Sequence, residues 1–148
     1  MKNPALPPSY FFSAIVLMAL LHYLLPVREI ITWPWTVLGI AFLVAGAMLN
    51  LSADKAFKVN NTTVKPFQES ARLITAGVFG VTRNPMYLGM ALILAGIATM
   101  AGTVTPFLVI PVFVVLMDWV FIRVEEGMLA QRFGDQWLDY KQRVRKWI

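Results

Sequence analysis

Cysteine is absent from this chain, histidine occurs once, and acidic residues number only eight. Without cysteine there can be no disulfide, thiolate zinc site, iron–sulfur cluster or thiol nucleophile. A metal site would need carboxylates around His22, and the few carboxylates are scattered, so no metal is expected. Charge of either sign is sparse: 14% of residues are charged and 58% hydrophobic, too apolar for a soluble chain of 148 residues. The glycine-rich strand-to-helix turn of soluble nucleotide-binding folds is also missing. These absences point to one integral-membrane domain, all-α, held in the lipid by its own apolar runs.

Four apolar runs qualify or nearly qualify for the roughly 20 helical residues that cross a bilayer. They cover about residues 9–25, 35–51, 85–101 and 103–122. The N-terminus carries one lysine and has no small-residue cleavage site after its first run, so that run is read as a retained helix. Tyr10, Tyr23, Trp33 and Trp35 fall near run ends, as interfacial aromatics do. The third and fourth runs are separated only by a turn around Gly102, which makes them antiparallel neighbours. Pro106 lies harmlessly in the first turn of the fourth run, whereas Pro111 is expected to kink it. Gly39 and Gly46 in the second run, and Gly89 and Gly96 in the third, are each seven apart and share a face. Close helix packing is their ordinary use, with room for a ligand as the alternative. His22 is read as a packing or interfacial residue, and the eight methionines as adaptable packing.

The net charge of +5 does not imply nucleic acid, because the basic residues cluster beside apolar runs where membrane orientation accounts for them. A four-span topology puts twelve of them, from Lys2 to Lys146, on one side and only Arg28 on the other. The positive-inside rule then makes both termini and the middle loop cytoplasmic, in an inner or plasma membrane. Within that loop, residues 52–84, the mostly apolar tail 73–82 is expected against the membrane surface or folded into the bundle. Beyond the fourth run, Leu129, Phe133, Trp137, Tyr140 and Val144 are spaced as one helical face, with Gly134 breaking the helix in two. The expectation is a cytoplasmic amphipathic helix on the bilayer, with Arg143, Arg145 and Lys146 toward headgroups and Asp139 paired with Arg143.

The chemistry concentrates at one end of the hairpin. Asn84 and Pro85 suit the cap and first position of a helix, but capping leaves Arg83 and Tyr87 unexplained. The hairpin brings Arg83, Asn84 and Tyr87 toward Asp118, Arg123, Glu125 and Glu126. Asp118 is the acid inside a run, and intramembrane acids are functional candidates or pair with a nearby arginine. Asp118 and Glu125, seven apart, share a helical face and are expected to point into one cavity.

The segment Arg83-Asn84-Pro85-Met86-Tyr87-Leu88-Gly89 is followed about forty residues later by Glu125-Glu126-x-x-Leu129-x-x-x-Phe133-Gly134-x-x-Trp137-x-x-Tyr140-Lys141-x-Arg143-Val144. This pair of motifs resembles the isoprenylcysteine carboxyl methyltransferase and phospholipid methyltransferase superfamily, with its Arg-His/Asn-Pro-x-Tyr motif and its terminal Glu-Glu-x-x-Leu-x-x-x-Phe-Gly-x-x-Tyr-x-x-Tyr motif. The resemblance spans residues 73–144. It implies a membrane methyltransferase using S-adenosylmethionine, held at the cytoplasmic face between the third and fourth spans and the C-terminal segment. The acceptor it implies is a lipophilic small molecule or lipid entering from the bilayer. Carried over by motif, Arg83, Asn84, Pro85, Tyr87, Glu126 and Tyr140 are cofactor candidates and Arg123 an acceptor-side candidate; for an amine acceptor, Glu125, Glu126 or Asp118 is the candidate base. Arg83 beside a helix N-terminus suits the cofactor's carboxylate, and Tyr87 or Trp137 suits adenine or the sulfonium. Asn84 stands where many relatives have histidine, and Trp137 where tyrosine is usual. The competing readings are a nicotinamide-dependent membrane reductase of a related bundle and a non-enzymatic small membrane protein. The first wants more basic residues around its cofactor, and a transporter wants an acid nearer mid-membrane than Asp118.

Overall fold

The computed structural model describes residues 6–62 and 72–148, so Lys2 and Lys65 of the charge count lie outside the described residues. In order come α1 (Pro7–Leu24), α2 (Leu38–Val59), α3 (Pro85–Ala101), α4 (Val104–Phe107), α5 (Val109–Met117), a π-helical turn (Asp118–Ile122), α6 (Arg123–Phe133) and α7 (Asp135–Arg143). Short 3-10 turns precede α2 and α3. Among the described residues the only β pairing is an isolated bridge between Glu29 and Thr103.

Among the described residues, three helical stretches are long and apolar enough to cross a membrane: Pro7–Leu24, Trp35–Val59 and Val104–Phe133. α3 is apolar but shorter, with 17 residues. A 17-residue helix is about 25 Å long, slightly less than the hydrocarbon thickness, and α3 lies in the middle of the bundle, touching α1, α2, α4 and α5. Its two sides explain that position. Tyr87, Leu94 and Ala98 enter a core with Met18 of α1 and Phe113, Met117 and Phe121 of the fourth run. The glycine side meets α2, its most extensive neighbour. A Cβ on Gly46 would lie 2.5 Å from the Gly89 carbonyl oxygen, and one on Gly39 equally close to that of Gly96. The four glycines are therefore an antiparallel contact in which backbone meets backbone, and the ligand-room alternative is set aside. The outward residues Phe12, Val16, Val44, Met48, Val112 and Val115 remain exposed, an arrangement that lipid tolerates and water does not.

α2 runs two turns past the expected end at residue 51, closing with an exposed Asp54–Lys58 ion pair. The α3–α4 turn is made by Gly102 at φ 74°. Across it, Ile30 and Ile31 donate their N–H groups to the Gly102 carbonyl, and His22 Nδ1 lies 2.9 Å from Thr103 Oγ1. His22 is thus a packing residue at the end opposite the motifs. The fourth run is interrupted at Leu108, one turn before Pro111, where the missing proline N–H leaves the Phe107 carbonyl without its usual donor.

Two expectations about the C-terminal half need correction. The apolar stripe does not face the bilayer: Trp137, Tyr140 and Val144 are buried and pack with Leu73, Leu129 and Phe133 of the same chain. Segment 73–82 accordingly folds onto the protein, with Phe79 buried against Phe57. Arg143 donates to the main-chain carbonyl of Asp139 and not to its carboxylate. The break at Gly134 (φ 51°, ψ −121°) is as expected.

Candidate functional site

The site is built where the start of α3 meets the start of α6. Pro85 occupies the first position of α3, and its fixed φ suits the helix while its missing N–H costs nothing there. Asn84 holds the cap position, but its side chain does not cap α3. Its Nδ2 donates instead to the Lys146 carbonyl at 3.0 Å, so the expected capping role is corrected to a tail-holding one. Thr82 Oγ1 donates to the same carbonyl at 3.2 Å and accepts from the Asn84 N–H.

Arg83 joins three parts of the chain. Its Nε and Nη2 reach Glu126 Oε1 at 3.1 and 2.9 Å. Its Nη1 donates to the carbonyls of Lys141 and Val144, and its main-chain N–H to that of Arg145. The guanidinium also lies over the Trp137 ring, 5.6 Å from its centroid. Both side chains of the ion pair are largely enclosed, Arg83 6% and Glu126 14% exposed. An arginine so engaged is a structural cation that holds Glu126 and the tail. Trp137, covered by Arg83 and the Tyr140 ring, is not a free face for a purine. The indole that replaces the usual tyrosine gives the guanidinium a broad π surface.

One turn into α3, Tyr87 donates its hydroxyl to Glu125 Oε1 at 2.8 Å and stacks on Phe121 at 6.3 Å. The two paired glutamates are therefore both claimed by the segment that opens α3, Glu126 by Arg83 just before the helix and Glu125 by Tyr87 within it. Tyr140 lies behind them, donating to the Phe79 carbonyl at 2.6 Å. Burial pushes its phenol up to about 12, with Arg83 pulling the other way and Glu126 adding to the rise, so it keeps its proton and its anchor.

Asp118 and Arg123 are placed elsewhere. Asp118 accepts from Lys146 Nζ at 2.8 Å and from Arg123 Nε at 3.0 Å, and Arg123, 60% exposed, lies over the Trp119 ring. The predicted shared face of Asp118 and Glu125 fails because the turn between them is π-helical. The extra residue in that turn rotates α6 by about 100° relative to α5, carrying Glu125 to Tyr87 and leaving Asp118 with the tail. Two participants had no readable signal in the sequence. Thr82 looked like loop, and Lys146 was one basic residue among several.

The donor set suits S-adenosylmethionine in part. Two adjacent carboxylates accept from an ammonium group or a ribose diol, while the Tyr87 and Phe121 rings stack on each other inside the core, 7% and 0% exposed, and leave no open face to a ligand. Both Arg83 contacts go to Oε1 of Glu126, so Oε2 is the oxygen left to a ligand.

The sequence profile of the phospholipid methyltransferase family matches residues 34–136. The match begins earlier than the motif resemblance, taking in α2, and ends before Tyr140. An uncharacterized protein of Haemophilus influenzae is 35% identical over 63 residues, which are 43% of this chain and all of that protein. Among solved structures, the eukaryotic intramembrane Ras methyltransferase, isoprenylcysteine carboxyl methyltransferase, matches with a TM-score of 0.65 and 28% identity over 95% of this chain. This chain spans about half of that protein, 51% of its length.

Proposed function

The chain belongs to the phospholipid methyltransferase family, and on that premise we propose that it transfers the methyl group of S-adenosylmethionine to a lipophilic acceptor at the cytoplasmic end of the bundle. The observation that carries this reading is the joining of the two motifs, Arg83 to Glu126 and Tyr87 to Glu125, at one end of α3. When bound, the cofactor supplies an electrophilic methyl on a cationic sulfonium. Glu126, fixed by Arg83 through one oxygen, would hold the ribose hydroxyls or the ammonium through the other. Pro85 and Asn84 set the start of α3, and Tyr140 anchors α7 behind the glutamates. Phe121 and Tyr87, stacked on each other inside the core, back Glu125 with apolar surface that keeps water from that side of the carboxylate.

Glu125 is the carboxylate set to act on the acceptor side. An amine acceptor sheds a proton on methylation, and Glu125 is the group that would hold it, with Tyr87 fixing its orientation. A carboxylate or thiolate acceptor needs no base, and positioning then carries the rate. Arg123, exposed at the same end of α6, suits an anionic acceptor group arriving from the lipid.

Calorimetry on purified protein is expected to show binding of S-adenosylmethionine and S-adenosylhomocysteine. No binding by folded protein, or saturable binding of NADPH in its place, sinks the proposal. Incubating membrane extracts with methyl-labelled cofactor, then identifying the labelled lipid, separates amine, carboxylate and thiol acceptors.

A further inference from the structure

We propose that Asp118 is a positioning residue for cofactor binding, acting through Lys146. This rests on the methyltransferase reading of the site. Lys146 is a node with two kinds of bond. Its carbonyl accepts from Asn84 Nδ2 and Thr82 Oγ1, while its ammonium donates to Asp118 Oδ1 at 2.8 Å. The neighbouring carbonyls of Lys141, Val144 and Arg145 are held by Arg83. The hydrogen bonds from Thr82 to Asn84 onto the tail all go to main-chain carbonyls, and such bonds fix no register by themselves because every residue offers the same acceptor. Side chains set the register: Val144 is buried against Trp137 and Tyr140, Trp147 packs on the bundle core, and Lys146 meets a carboxylate only 15% exposed. Asp118 opens the π turn on the helix that carries Glu125 and Glu126. The brace thus closes a loop from the glutamate-bearing helix to the tail, from the tail to Arg83, and from Arg83 back to Glu126. Loss of the brace lets the tail shift, and Arg83 then holds Glu126 less firmly.

The test uses full-length protein in detergent. Asp118→Asn and Lys146→Met each remove the charged bond and leave the tail carbonyls in place. Each is expected to weaken S-adenosylhomocysteine binding by about tenfold, as loss of a charge-assisted hydrogen bond does. The double variant loses no more than either single one, because the two act as one unit. Turnover at saturating cofactor stays within about twofold, and Asp118→Glu, which keeps the charge, recovers most of the affinity. Amide hydrogen exchange is expected to rise in residues 82–84 and 144–147 in both single variants. Unchanged affinity, additive losses, unchanged exchange, or turnover that falls with affinity intact each overturns the inference, the last by making Asp118 a group that acts on the reacting atoms. Failure of wild-type protein to bind overturns the methyltransferase reading itself, whereas wild-type binding with unaffected variants overturns this inference alone.

Discussion

At the residue scale, the site is a set of divided loyalties. Arg83 commits its donors to Glu126 and to two carbonyls, a planar fork that an ammonium cannot copy. Arg83→Lys is therefore expected to lose most cofactor affinity, at least tenfold by calorimetry, though the charge is conserved. Glu126→Gln should lose affinity to a similar degree, since the oxygen left to the ligand is no longer part of a carboxylate. Tyr87→Phe deletes the hydroxyl that meets Glu125 at 2.8 Å and leaves a buried acceptor short of a partner. That change is expected to cost about 1–3 kcal/mol of stability, read as a lower thermal midpoint in detergent. Glu125→Gln keeps an acceptor for Tyr87, so it should hold that midpoint more closely while lowering turnover on an amine acceptor. The motif pairing pointed to these residues from the sequence, and the structure brings Arg83 to Glu126 and Tyr87 to Glu125. Arg83, expected to receive the cofactor's carboxylate, also bonds Glu126 and two protein carbonyls, because hydrogen bonding is a property of the folded neighbourhood and not of residue type.

At the element scale, the glycines divide into two kinds that composition does not separate. Gly46 and Gly89 are small because α2 and α3 touch there. Gly46→Ala places a Cβ 2.5 Å from a backbone oxygen and is expected to cost about 1–3 kcal/mol through forced separation of the helices. Gly134 has open space around it, but its φ is 51° with ψ −121°. Gly134→Ala meets no neighbour and is nonetheless expected to cost about 1–3 kcal/mol of backbone strain. The two variants should separate in hydrogen exchange: Gly46→Ala loosens α2 and α3, whereas Gly134→Ala loosens α7. The seven-residue spacings of Gly39 and Gly46 and of Gly89 and Gly96 made the first kind legible as a contact face, and the turn between motif halves made Gly134 legible as a break. The π turn at Asp118–Ile122 was not legible, since Asp-Trp-Val-Phe-Ile carries no proline or glycine to announce an irregular turn. It arises where the helix satisfies two sets of neighbours at once, the tail before the turn and α3 after it.

At the scale of the whole molecule, the absence of cysteine offers a direct test of orientation. Single cysteines at Lys58 and Arg143, on the proposed cytoplasmic side, are expected to resist a membrane-impermeant maleimide in intact cells and to label after lysis. A cysteine at Val27, exposed on the opposite side, should label without lysis. The reverse pattern would turn the molecule over and move the site to the other face. Ligand binding at the junction of α3, α6 and α7 should also raise the thermal midpoint as the cofactor concentration passes its dissociation constant.

The sequence alone determined the apolar, all-helical class and the approximate positions of the apolar runs, because hydrophobic length is a local property that no partner alters. It also marked both motifs, since their residue types and spacing are written along the chain. Only the tertiary structure decided that α3 is the enclosed helix, that the C-terminal stripe faces protein and not lipid, and that Asp118 serves the tail while Glu125 serves Tyr87. An amphipathic pattern states that a face must be covered without saying by what. A single π turn, invisible in composition, then chooses which acid meets which partner. The Arg83 to Gly89 segment is accordingly more than a capped helix start: it is the place where α3, α6 and the tail are tied together.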